Sequence, residues 1–126
     1  ALYPHAGDWT NGCYAEAEDM NLPLEPAQAG PHEGSLPKAL SFLTVEGANL
    51  QVTTFKQAEE RPGNTVLRLF NPTEEAVPAT LRFFKPIKEA WLTNMNEERR
   101  ESLPLEEGVL HLSVAKKKIL TLEFVF

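Results

Sequence analysis

From residue 39 to the end of the chain, apolar and polar residues alternate with a period of two, in short runs separated by turn-forming residues. Successive side chains of an extended strand point to opposite faces, so this rhythm restricts the chain to half-buried β-strands. Leu40 to Glu46 and Leu50 to Lys56 are two such runs, joined by a tight turn at Gly47-Ala48. Thr65 to Asn71 follows Pro62-Gly63, a pair suited to the central positions of a type II turn. After the turn Asn71-Pro72-Thr73-Glu74, the run Ala79 to Lys85 sets Leu81 and Phe83 on one face and Arg82 and Phe84 on the other. Pro86 closes that strand, and Glu89 to Met95 begins the next. The polar run Asn94 to Ser102 reads as a solvated loop. Val109 to Val114 groups Leu110, Leu112 and Val114, and Ile119 to Phe126 groups Leu120, Leu122, Phe124 and Phe126. A terminal Leu-Glu-Phe-Val-Phe would expose two phenylalanines if it frayed, so the last residues are expected inside a sheet. The expectation is a mainly β fold: an antiparallel β-sandwich of about seven strands with one short N-terminal helix.

Residues 1–38 behave differently. They hold five of the ten prolines and four of the seven glycines, a density that interrupts long regular elements. One short helix fits there, with Asn11 as its cap and Cys13, Ala17 and Met20 on one face. A helix this short needs a surface to pack on. The organisation expected is therefore a Pro/Gly-rich lead-in over 1–38, packing on the sheet or on a missing upstream domain, and a β-sandwich over 39–126.

With 126 residues there is room for one ordinary core and not for two. A net charge of -6 argues against nucleic acid, which needs a basic face. The one basic run, Lys116-Lys117-Lys118, reads as a hairpin turn. No apolar stretch approaches the roughly 20 residues of a membrane span, so no membrane partner is expected. Cys13 is the only cysteine, which excludes an intramolecular disulfide and leans towards a reducing compartment. The chain starts Ala1-Leu2-Tyr3-Pro4 without an initiator methionine and reads as a piece of something longer, so targeting signals could lie upstream.

Catalytic chemistry is hard to assemble from these residues. Glycosidase action needs two carboxylates facing each other across a substrate, about 5 to 9.5 Å apart. The acidic doublets Glu59-Glu60, Glu74-Glu75, Glu97-Glu98 and Glu106-Glu107 all fall in expected turns and read as solvated. His5, Asp8, Cys13, His32 and Glu33 match no zinc spacing. His111 reads as a surface or edge histidine, and Cys13 as a partly buried helical thiol. No serine sits in a nucleophile elbow, and no glycine loop could cradle phosphate. Catalytic residues: none; metal ligands: none. Trp9 and Trp91 read best as packing residues.

The opening run Tyr3-Pro4-His5-Ala6-Gly7-Asp8-Trp9 resembles the Tyr-Pro-His-x-Gly-Asp-Trp signature of the C-terminal half of glycoside hydrolase family 38, the α-mannosidases. Further segments follow the family's order: Asn21-Leu22-Pro23-Leu24, Gly34-Ser35-Leu36-Pro37, Thr54 to Glu59 with its Lys-x-x-Glu, Val66 to Asn71 with its Arg-x-x-Asn, and Lys118 to Leu122. The resemblance covers nearly the whole chain and is nearest the bacterial members, which are typically cytoplasmic. It implies a retaining, zinc-using enzyme that hydrolyses terminal α-mannosides through a covalent glycosyl-enzyme. It also places the nucleophile, the acid/base residue and the zinc in an upstream catalytic domain of the same chain. No cofactor is expected in this segment, and a homo-oligomer is among the partners expected for the whole enzyme. His5, Asp8 and Trp9 become the candidate interdomain contact. The alternative is a carbohydrate-binding module that stacks sugar on Trp9, Tyr14 and Trp91.

Overall fold

A computed structural model describes residues 1–126. They divide into two compact units, Ala1–Leu40 and Ser41–Phe126. In the first unit one helix, α1 (Cys13–Asn21), stands among irregular chain. Asn11 does not cap it. Gly12 occupies the N-cap with a left-handed φ of 86°, and the Asn11 amide instead donates to the Ala6 carbonyl at 2.7 Å. No residue of α1 is buried. Alternating polar and small side chains, Glu16, Glu18 and Asp19 among them, leave it without a continuous apolar stripe.

The second unit is all β. Its strands are β1 (Leu43–Glu46), β2 (Gln51–Gln57), β3 (Thr65–Phe70), β4 (Val77–Phe83), β5 (Glu89–Thr93), β6 (Arg99–Leu103), β7 (Leu110–Val114) and β8 (Ile119–Val125). They form two antiparallel sheets, one ordered β1-β4-β7 and the other β2-β3-β8-β5-β6. The turn at Gly47 carries the chain from the small sheet to the large one, so β1 and β2 are not a hairpin. The lysine run likewise makes a turn, with Lys118 N–H donating to Ala115 at 3.2 Å, but it links β7 to β8 across the sheets rather than within a hairpin.

The inward faces follow the expected alternation. Leu67, Leu69, Leu122 and Phe124 of the large sheet meet Ala79, Leu81, Leu110 and Val114 of the small one in a single core. The type II turn is present: Asn64 N–H donates to Arg61 at 3.1 Å, and Gly63 takes a φ of 97°. The C-terminal strand lies in the middle of the large sheet, between β3 and β5. The expectation that fails is the solvated loop over 94–102. Its second half is β6, paired with β5 through Ala90–Leu103 and Trp91–Ser102. Arg99-Arg100-Glu101 shows no apolar alternation because β6 is an edge strand whose side chains largely meet water.

Candidate functional site

The central strands of the large sheet are closed on both faces. On the face turned away from the core, Val66 of β3, Glu123 of β8 and Trp91 of β5 stand side by side. Val66 and Glu123 are both 0 % exposed. Two loops shut this row from water. Residues 58–64 come over from the β2–β3 end and residues 94–98 from the β5–β6 end, and charged groups join them.

Glu123 is the hub of that closure. Arg61 Nε donates to both of its oxygens at 2.8 and 3.0 Å. Arg99 Nη2 donates at 2.8 Å, and the Asn64 amide at 2.6 Å. Arg61 also donates to the Glu97 carbonyl, tying the first loop to the second. The Glu97 side chain returns the contact, accepting from Glu59 N–H at 2.8 Å and from Lys56 Nζ at 2.6 Å. Burial alone would push the Glu123 carboxyl up. The hydrogen bonds from Arg61, Arg99 and Asn64, with the charge of Arg99, outweigh it and hold the group at about 2. Glu97 is held below its usual range, first by Lys56 and then by the Glu59 amide.

This arrangement braces; it does not react. A general acid must carry a proton near the working pH, and Glu123 stays ionised well below neutrality. Its oxygens already accept from two guanidinium groups and an amide, which leaves no face for a substrate. A second polar brace sits at the start of the β3–β4 connection. Asn71 is fully buried, and its amide donates to the Glu75 and Val114 carbonyls at 2.6 and 3.0 Å. Its oxygen accepts from Thr73 N–H at 2.9 Å. That pins the Asn-Pro-Thr turn to the end of β7.

The residues singled out from the sequence fall into both units. In the first, Tyr3 and His5 stack at 5.7 Å, and Trp9 meets Tyr14 edge to face at 5.6 Å. Asp8 accepts from Thr10 N–H at 2.9 Å, so it shapes its own turn. Trp9 and Tyr14 are thus brought together, but at 69° they form no flat platform. In the second unit, Arg99 covers one face of the Trp91 ring at 4.6 Å, and the indole N–H donates to Glu89 at 3.1 Å. His111 lies on edge strand β7, its Nδ1 3.1 Å from Thr80 Oγ1. Of the acidic doublets, Glu97 departs from the solvated reading: it is 8 % exposed, at a left-handed φ of 65°.

The residues that sequence reasoning passed over are Glu123, Arg61 and Arg99. An isolated Glu opposite Leu122 and Phe124 in a strand reads as solvent-facing. Only loops folding over that face bury it. One local signal was present: the Lys-x-x-Glu spacing of Lys56 and Glu59 is an ion pair at 3.3 Å in this same network.

The strand order, the inward alternation and the braced outer face describe a β-sandwich whose polar residues serve the fold. The family model for the glycosyl hydrolases family 38 C-terminal beta sandwich domain matches residues 49–122, more than half of the chain. The chain belongs to that family. The match runs from the turn before β2 into β8, so it lies within the second unit of this family 38 domain, and Tyr3–Trp9 stands outside it. No curated protein and no solved structure matches the chain.

Proposed function

We propose that this family 38 domain is a structural, accessory part of an α-mannosidase-like glycoside hydrolase and is inactive when isolated. The observation that carries the reading is the match to the family's C-terminal β-sandwich over residues 49–122. On this reading the full-length enzyme, of the bacterial and cytoplasmic type, hydrolyses terminal α-mannosides with a catalytic domain upstream in the same chain. That domain is the main partner, with self-association of the whole enzyme as a second contact. Neither nucleic acid nor membrane has a part. The zinc that the family implies does not fit this chain, because no group of three or more His, Cys, Asp or Glu side chains stands together. The proposal therefore puts the metal on the catalytic domain.

His5, Asp8 and Trp9 are proposed as the contact with the catalytic domain. Trp9 supports this: it keeps 47 % of its surface exposed, a large apolar area suited to burial at an interface. Trp9→Ala in the full-length enzyme is expected to lower the melting temperature by several degrees and reduce mannosidase activity. Unchanged values for both would remove the interface. The isolated 126-residue chain is expected to leave an aryl α-mannoside intact, and turnover there would sink the structural reading. Mannose and mannobiose titrated into the same chain test the carbohydrate-binding alternative, in which Trp9, Tyr14 and Trp91 hold sugar. No saturable binding is expected, given the edge-to-face Trp9–Tyr14 pair and the Arg99 cover on Trp91.

A further inference from the structure

The end of the sandwich where β8 begins carries a groove of about 410 Å³. Leu92, Met95, Ile119 and Leu120 line it with apolar surface, and Arg100 and Lys118 also border it. Met95 and Ile119, which both line the groove, are 58 % and 55 % exposed, so apolar surface there stands open to water. Arg68 reaches the same place, its guanidinium donating to Thr121 Oγ1 at 3.0 Å and to the Met95 carbonyl at 3.2 Å. No carboxylate lines the groove. Glu98 pairs with Arg100 at 2.9 Å, and Glu101 stands opposite groove-lining Leu92 in the β5–β6 register. Arg68, Arg100 and Lys118 against Glu98 and Glu101 leave this border net positive on a chain whose net charge is -6.

We propose that this groove docks an extended acidic peptide segment. One apolar side chain of the segment sits between Met95 and Ile119, and flanking carboxylates meet Lys118 and Arg100. The volume suits a single leucine or phenylalanine side chain with its neighbours, at the small end of the usual 300 to 1,000 Å³ for binding clefts, roughly speaking. The charge selects the occupant: a basic or neutral segment would gain the apolar contact and lose the electrostatic match. The phenylalanine cluster at the far end of β8, with Phe42, Phe55 and Phe84 all partly open, is bordered by one cation, Lys85, already held over the Phe84 ring, and so carries a weaker charge preference. The groove and its occupant stand independently of the domain's role in a mannosidase.

The test is fluorescence anisotropy on the 126-residue chain, with labelled Asp-Glu-Leu-Phe-Glu-Asp as the probe. Lys-Lys-Leu-Phe-Lys-Lys and Asp-Glu-Ser-Ser-Glu-Asp are the controls. Saturable binding of the first peptide alone is expected, weakening as salt rises from about 0.05 to about 0.5 M because the Debye length shortens. Lys118→Glu, at an exposed turn, is expected to weaken binding about tenfold, and Arg100→Ser by a smaller factor. Absence of saturable binding, equal binding of the basic peptide, or indifference to both substitutions would overturn the proposal. So would sedimentation showing a dimer that Lys118→Glu dissociates, because a second copy would then be the occupant.

Discussion

Glu123 lies beneath two guanidinium groups and an amide with none of its surface in water. Removing its charge strands Arg61 and Arg99 in a half-buried site, and breaking a buried pair on one side costs roughly 3 to 5 kcal/mol. Glu123→Gln is therefore expected to lower the unfolding free energy measured in urea by that much. The pH dependence follows from the same contacts. The carboxyl is held at about 2 when folded, against an ordinary 4.5. A depressed folded value means its contribution is full above the unfolded value, near 4.5, and is lost as pH falls from there through the folded value. Urea midpoints measured between pH 5 and pH 2 should fall more steeply for the native chain than for Glu123→Gln. Equal slopes would mean that another carboxylate dominates acid unfolding. Trp91 belongs to this scale as well. Its alternation with Ala90 and Leu92 was legible, since Ala90 is buried in the core, but the guanidinium stacked on its ring comes from Arg99, on a strand the sequence did not reveal.

Among the elements, turns are where local chemistry was most readable. Pro62-Gly63 forms the expected turn because proline pre-sets φ and glycine accepts the left-handed position. Gly108 is a sharper case that no motif announced. It takes a φ of 76°, and a Cβ added there would stand 2.8 Å from Pro86 Cβ and 3.1 Å from Pro86 Cα. Pro86 cannot swing aside, because Ile87 N–H donates to the Gly108 carbonyl at 3.1 Å. Gly108→Ala is expected to destabilise the sandwich by about 2 kcal/mol in urea melts, from left-handed backbone and overpacking together. Gly63→Ala, with open space around its Cβ, should cost about 1 kcal/mol, the backbone part alone. Equal losses at the two sites would show that the Pro86 contact does not matter. Strand β6 was illegible for the opposite reason. An edge strand needs no apolar alternation, and its partner β5, not its own composition, holds it extended.

Over the whole molecule, burial is unevenly shared. Every fully buried residue belongs to Ser41–Phe126, and none lies in Ala1–Leu40. Opening free energy tracks buried apolar contact, so amide exchange in the isolated chain should be fastest over residues 1–40. It should be slowest in β3 and β8, two of the three inner strands of the large sheet. Protection in α1 equal to that in β8 would contradict this. The β-sandwich class, the core positions Leu81, Leu110, Val114, Leu122 and Phe124, and the short helix were all determined by the sequence, because period and turn chemistry act within a few residues. A terminal strand paired inside a sheet was likewise implied by the apolar end of the chain, though its central place in the order was not. What only the tertiary structure decided is the outer face of β8. Alternation says that Glu123 points away from Leu122 and Phe124, but not whether water or protein lies there. Two loops more than thirty residues apart in the chain, around Arg61 and Glu97, converge over it, and that non-local meeting turns a surface glutamate into the buried hub of the domain.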